Sequence, residues 1–167
     1  MLTVVRHILA IAVLPFVVTV VIPTWIARGN GTVPSVGTTP LQVLTQLGGV
    51  GLLVIGLTLF VASLQRFATE GQGTLAPWDP PRKLVVRGPY RYVRNPMISG
   101  VIFILFAEAA LLRSVPHAQW ALLFLGLNLV QIPFFEEPQL RLRFGAAYDE
   151  YCRNVPRVFP RIRPWKG

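Results

Sequence analysis

This sequence is poor in the residues from which most active sites are made. Among its 167 residues are one cysteine, two histidines and seven acidic side chains. A lone cysteine, Cys152, permits no internal disulfide and no cysteine metal cluster. Its setting, YDEYCRNVP, reads as that of a passive thiol on a reducing side. His7 and His117 lie near the ends of apolar runs, where an interfacial position suits them better than catalysis. No metal site is expected, and no nucleophile or general base stands out. Charge is scarce too, at 14% of residues against 53% hydrophobic, with a mean hydropathy of +0.54. That leaves too little polar surface to cover a water-facing globule. The charge present is mostly of one sign, giving a net +9. These cations flank apolar runs instead of coating a polar domain, which argues against a nucleic-acid partner and for membrane lipids.

The length suits a single domain over 1–167. The expected fold is an all-α integral membrane protein with about four transmembrane helices, at 8–27, 43–64, 97–112 and 118–135. The first run continues through Pro23 to Trp25, too far for a signal peptide, and is read as a retained helix bent near Pro15. Gly48, Gly49, Gly51 and Gly56 in the second would let a neighbouring helix approach closely. The third includes Glu108, suited to snorkelling or an interhelical bond. The fourth carries Asn128, Gln131 and Pro133. All but two of the 16 cations, Arg28 and Arg113, precede the first run or lie in the 65–96 loop and the 136–167 tail. The positive-inside rule then puts both termini, that loop and the tail in the cytoplasm, on a cell inner or plasma membrane.

Chemistry is therefore sought in the two cytoplasmic segments. In the loop, KLVVRGPYRY reads as extended chain with a turn at Gly88-Pro89, and Pro96 suits the first turn of the third span. An anchoring loop needs no such punctuation, so a preformed pocket wall is expected. In the tail, Leu140, Phe144, Ala147, Tyr148, Tyr151 and Val155 recur at helical spacing as one apolar stripe. This C-terminal amphipathic helix suits either a pocket wall or a membrane interface. Glu136 and Glu137 are adjacent carboxylates at the membrane boundary, where desolvation and mutual repulsion both oppose their charge. Loop cations or a cationic ligand would relieve them; solvation at a helix end is the plainer reading.

LVVRGPYRYVRNPMISG and EEPQLRLRFGAAYDEYCRNVPRVFP together resemble the isoprenylcysteine carboxyl methyltransferase and phospholipid methyltransferase families of integral membrane enzymes. The two motifs cover roughly half the chain in the family order. The resemblance implies a methyltransferase using S-adenosyl-L-methionine, bound on the cytoplasmic side between loop and tail. It implies cofactor contacts from Arg82, Lys83, Leu84 and Val85, and from Tyr90. Further contacts are implied for Arg94, Asn95, Pro96, Met97, Ile98 and Gly100, with Glu136 and Glu137 completing the site. Carboxylates can accept from ribose or ammonium, a guanidinium can hold a carboxylate, and a tyrosine ring can face a sulfonium.

The isoprenylcysteine enzymes have histidine at the position of Arg82, tyrosine at Ile98 and a substrate-binding arginine at Ile132. An apolar Ile132 cannot receive a substrate carboxylate. The expected acceptor is thus another lipophilic molecule: a phospholipid amine, a prenylated or quinone-like compound, or a small hydrophobic thiol. A non-catalytic basic membrane adaptor or lipid-binding protein is the alternative, with a transporter third. The sequence is silent on oligomeric state.

Overall fold

Proline and threonine mark where the long helices begin. Pro40 and Pro96 each open a helix, where the missing N–H has no intrahelical acceptor in any case. Before Pro40, the Gln42 amide N–H donates to Thr39 Oγ1 at 3.3 Å, and Gln42 Oε1 accepts from the Thr39 N–H at 3.4 Å. This reciprocal pair is a capping box. A computed structural model describes residues 14–70 and 84–166, leaving aside the side chains of 67–70. The expected contacts at Arg82 and Lys83, and the start of the first run, lie outside the described residues.

Among those residues the regular structure is entirely helical. A π-helical stretch, Val17–Val21, leads into α1 (Ile22–Gly29). Then come α2 (Pro40–Glu70), α3 (Pro96–Leu112) and α4 (Val115–Gln131). A second π-helical stretch, Ile132–Glu136, carries α4 into α5 (Glu137–Phe144), and α6 (Ala146–Asn154) follows. Among the described residues, two helices are long and apolar enough to cross a membrane: Pro40–Arg66 and the continuous run Val115–Phe144. A soluble core helix would be mostly buried, yet these are only 17% and 11% buried over their apolar windows. Leu44, Leu47, Val54, Leu122, Leu127 and Phe134 stand exposed along them. Such outward apolar faces suit lipid. Leu14–Gly29 and Pro96–Leu112 are shorter apolar helices.

The chain forms two compact units. The first holds the described residues up to Thr58 together with Gly100–Leu125. Here Gly56 packs so tightly that a Cβ would sit 2.8 Å from the Gly100 carbonyl oxygen, and one on Gly49 would lie 3.0 Å from Leu111. Gly48 and Gly51 face open space. Two of the four glycines, seven residues and about two turns apart, thus form the contact. The Gln46 amide ties a loop to a helix end, donating to Ser35 O at 2.7 Å and Leu111 O at 3.0 Å while accepting from the Gly37 N–H at 2.8 Å. His117 is buried, with Nδ1 2.7 Å from Ser114 Oγ and Nε2 3.2 Å from Pro23 O.

The second unit comprises Leu59–Ser99 and the residues from Gly126 onward. Its apolar centre is Tyr148, Tyr151 and Val155, packed by Leu84, Val86, Leu140, Phe144, Cys152 and Trp165. The tail stripe therefore lies against the chain's own loop. It does not form one amphipathic helix: Gly145, at φ 53° and ψ −134°, separates α5 from α6 in a conformation that side chains resist. Ala147 is left exposed.

Candidate functional site

The site is built where a widened helix meets a tight turn. Pro133 and Pro138 remove backbone donors near the end of α4, and the helix expands into a π turn between them. The Glu137 N–H consequently bonds to Ile132 O, five residues back. Such π turns re-aim the side chains that follow and are frequent at functional positions. Glu136 and Glu137 therefore lie within a continuing helix, not at its end as their place in the sequence suggests.

The opposing wall is the 3₁₀ turn Gly88–Arg91 and the residues after it. Gly88 has φ 54°, and its missing Cβ lets the Arg66 side chain lie against it. The end of the tail holds this wall in place. Arg94 N–H donates to Pro156 O at 2.8 Å, Asn95 N–H to Arg157 O at 3.3 Å, and Trp165 N–H to Arg91 O at 2.9 Å. Tyr151 Oη donates to Tyr90 O at 2.7 Å.

Glu137 is the electrostatic centre, with a side chain only 3% exposed. Arg157 grips it with two bonds, Nε to Oε1 at 2.6 Å and Nη2 to Oε2 at 3.1 Å. Arg94 Nη1 reaches Oε1 at 3.0 Å, and Arg141 Nη2 stands 3.9 Å from Oε2. Arg141 in turn bonds Asp149 at 3.1 Å. A buried carboxylate needs such company, because an unpaired one would lose its hydration without compensation. The bond to Glu137 also raises the Arg157 pKa. Glu136 is different. It is half-buried, its charged neighbours are Glu137 and Arg94, and no described cation lies within ion-pair distance of it. Burial first, and the Glu136 charge second, push the Tyr90 phenol far above its ordinary range. Arg94 also touches Cys152 Sγ, yet its Nε is buried with no hydrogen-bond partner.

Tyr90, Arg94, Glu136 and Glu137 thus share one electrostatic neighbourhood. Leu84 and Val86 face the tyrosine cluster, whereas Val85 is half-buried outside it. Pro96 is buried, and Met97 and Ile98 are half-buried at the start of α3. Gly100 is part of the first unit, where its carbonyl faces Gly56. Sequence reasoning missed Arg157, which it counted only as a topological cation, and also Tyr151 as a support for Tyr90. No local pattern reveals a pair 20 residues apart that closes through a tail return.

The sequence pattern of the family described as phospholipid methyltransferase matches residues 44–147. The chain belongs to that family. The matched stretch includes Tyr90, Arg94, Glu136 and Glu137 and stops before Arg157. Methanethiol S-methyltransferase 2 of Bradyrhizobium diazoefficiens is 36% identical over 73 residues, which are 44% of this chain. The match spans 27% of the length of that relative. No solved structure matches the chain.

Proposed function

We propose that this family member transfers a methyl group from S-adenosyl-L-methionine to a lipophilic acceptor at the cytoplasmic face of a membrane. The observation that carries the reading is the contrast between Glu137, saturated by arginines, and the neighbouring groups that are not. Arg94 Nε is a buried donor without an acceptor, and Glu136 is a half-buried carboxylate with no described ion-pair partner. This donor set fits a ligand carrying both a carboxylate and cationic or hydroxyl groups. Arg94 Nε would hold the carboxylate, Glu136 would accept from ammonium or ribose, and Tyr90 would offer its ring. The family resemblance adds Arg82 to Val85 and Asn95 to Ile98 as further contacts. When bound, the cofactor supplies an electrophilic methyl group on a positively charged sulfur.

The chain's own task is to align and to exclude water, since a displacement at carbon gains much of its rate from positioning. Glu137 contributes indirectly: locked by Arg157, it fixes Arg94 from the side away from any ligand bonded at Nε. Four spans, with the cation-rich segments in the cytoplasm, fit the apolar helices and charge distribution.

Among acceptors, a small hydrophobic thiol is favoured over a carboxylate. Ile132 is fully buried and apolar, so it offers no charge to a substrate carboxylate. The partial relative is named for S-methylation of methanethiol. The test is transfer from methyl-labelled S-adenosyl-L-methionine by the purified protein in lipid. Supplied thiols should yield volatile labelled thioethers, and Glu136→Gln should lose most of that label. Label appearing in lipid extract instead would reassign the acceptor, and no transfer to thiols, lipids or quinones would favour the basic adaptor.

A further inference from the structure

A second concave feature lies in the unit that carries the methyl-transfer site, but Tyr90, Arg94, Glu136 and Glu137 do not line it. It is a cleft of about 600 Å³ whose charged rim, among the described residues, is Arg66, Arg87, Arg91 and Lys166 with one acid, Glu150. Trp165 supplies an aromatic wall. Four cations converging on one concavity repel one another, an arrangement that an anion relieves. Arginine forks in particular match phosphate oxygens.

The fold also gives the cleft a level. Arg66 is the first charged residue after the apolar run of the Pro40–Glu70 helix, which places it where hydrocarbon gives way to headgroups. Tryptophan favours the same boundary. The positive-φ turn at Gly88 brings the Arg66 side chain onto the rim, since a Cβ there would lie 3.0 Å from Arg66 Nε. The main chain fixes another part, because Arg91 Nε is bonded to the Trp165 carbonyl oxygen. Arg87 and Lys166 are exposed.

We propose that this cleft binds the phosphate of an anionic membrane lipid, at a site separate from that of methyl transfer. The proposal rests on the membrane-spanning reading of Pro40–Arg66 and not on the identity of the methyl donor. An anionic lipid seated there would pin the Gly88 turn and the end of the tail together at the membrane surface.

The test uses the whole chain in neutral detergent, titrated with dioctanoyl phosphatidylglycerol, dioctanoyl phosphatidylcholine or glycerol phosphate while thermal unfolding is followed. Saturable stabilisation by phosphatidylglycerol, absent with phosphatidylcholine, is expected. Glycerol phosphate should act at least tenfold more weakly; equal potency would assign the site to a free phosphate ester and overturn the lipid proposal. The double variant Arg87→Gln/Lys166→Gln should bind phosphatidylglycerol about tenfold more weakly, since each cation near an anionic surface contributes appreciably. Arg153→Gln/Arg163→Gln, also exposed, should bind as the parent does. Equal losses in both double variants would reduce the effect to general surface charge. Unchanged lipid binding in Arg87→Gln/Lys166→Gln would overturn the site. So would a loss confined to S-adenosylhomocysteine binding, which would assign the cleft to the methyl donor. Lys166→Gln alone, expected to lose a few-fold, provides the check if the double variant does not purify.

Discussion

Gly56 in one unit and Glu137 in the other are both buried at crowded contacts, but they hold their surroundings by opposite means. Gly56 works by absence: without a side chain, the Gly100 carbonyl and Ile104 can approach. Glu137 works by saturation, with its two oxygens drawing Arg157, Arg94 and Arg141 into one cluster. The first contact needs only small residues and apolar surface, which a lipid-facing chain has in plenty. The second spends scarce charge on a single point, and beside it stand Glu136 and Arg94 Nε, whose bonding is not used up in this way. A chain with seven acids commits one of them to holding the frame and leaves its neighbour outside the described ion pairs.

The comparison can be broken at either end. Glu137→Ala should have the largest effect, about 3–5 kcal/mol of lost stability, because it leaves buried guanidinium charge unpaired. Denaturant titration in mixed micelles would measure it, and a loss below about 1 kcal/mol would mean that the cluster is solvated. Gly56→Ala should cost about 1–3 kcal/mol by overpacking against backbone, while Gly48→Ala, which meets open space, should be neutral or slightly stabilising. Equal effects at the two glycines would contradict the packing described. Tyr151→Phe should cost about 1 kcal/mol through the lost bond to Tyr90 O.

The smallest effect at neutral pH concerns the buried phenols. Burial raises Tyr90, Tyr148 and Tyr151 above the ordinary value of 10.0. Above that pH the unfolded chain loses protons that the folded chain keeps, so stability should fall as pH rises past about 10. A flat profile between pH 9 and 11 would count against the buried placement of these rings.

The helices were legible because apolar length needs no partner to be recognised. Pro40 and Pro96 open their helices nearly where the sequence suggests. The convergence of Tyr90 with Glu136 was legible only through the family resemblance, since 46 residues of chain separate them. Gly145 was readable in principle as a helix stop, but the apolar stripe runs across it and masks the break. Arg157 had no local signal at all. Its partner is chosen by backbone pairing of the tail with residues 94 and 95, and nothing in its neighbours announces that pairing.

The most direct test is calorimetric titration of S-adenosylhomocysteine into the detergent-purified protein, with Glu136→Gln and Arg94→Lys alongside. Saturable binding by the parent, weakened at least tenfold in Glu136→Gln and in Arg94→Lys while both variants stay folded, is the expected result. Binding that is equally strong in all three proteins would contradict the site. Its absence from folded parent protein in lipid would contradict the proposed methyl donor itself.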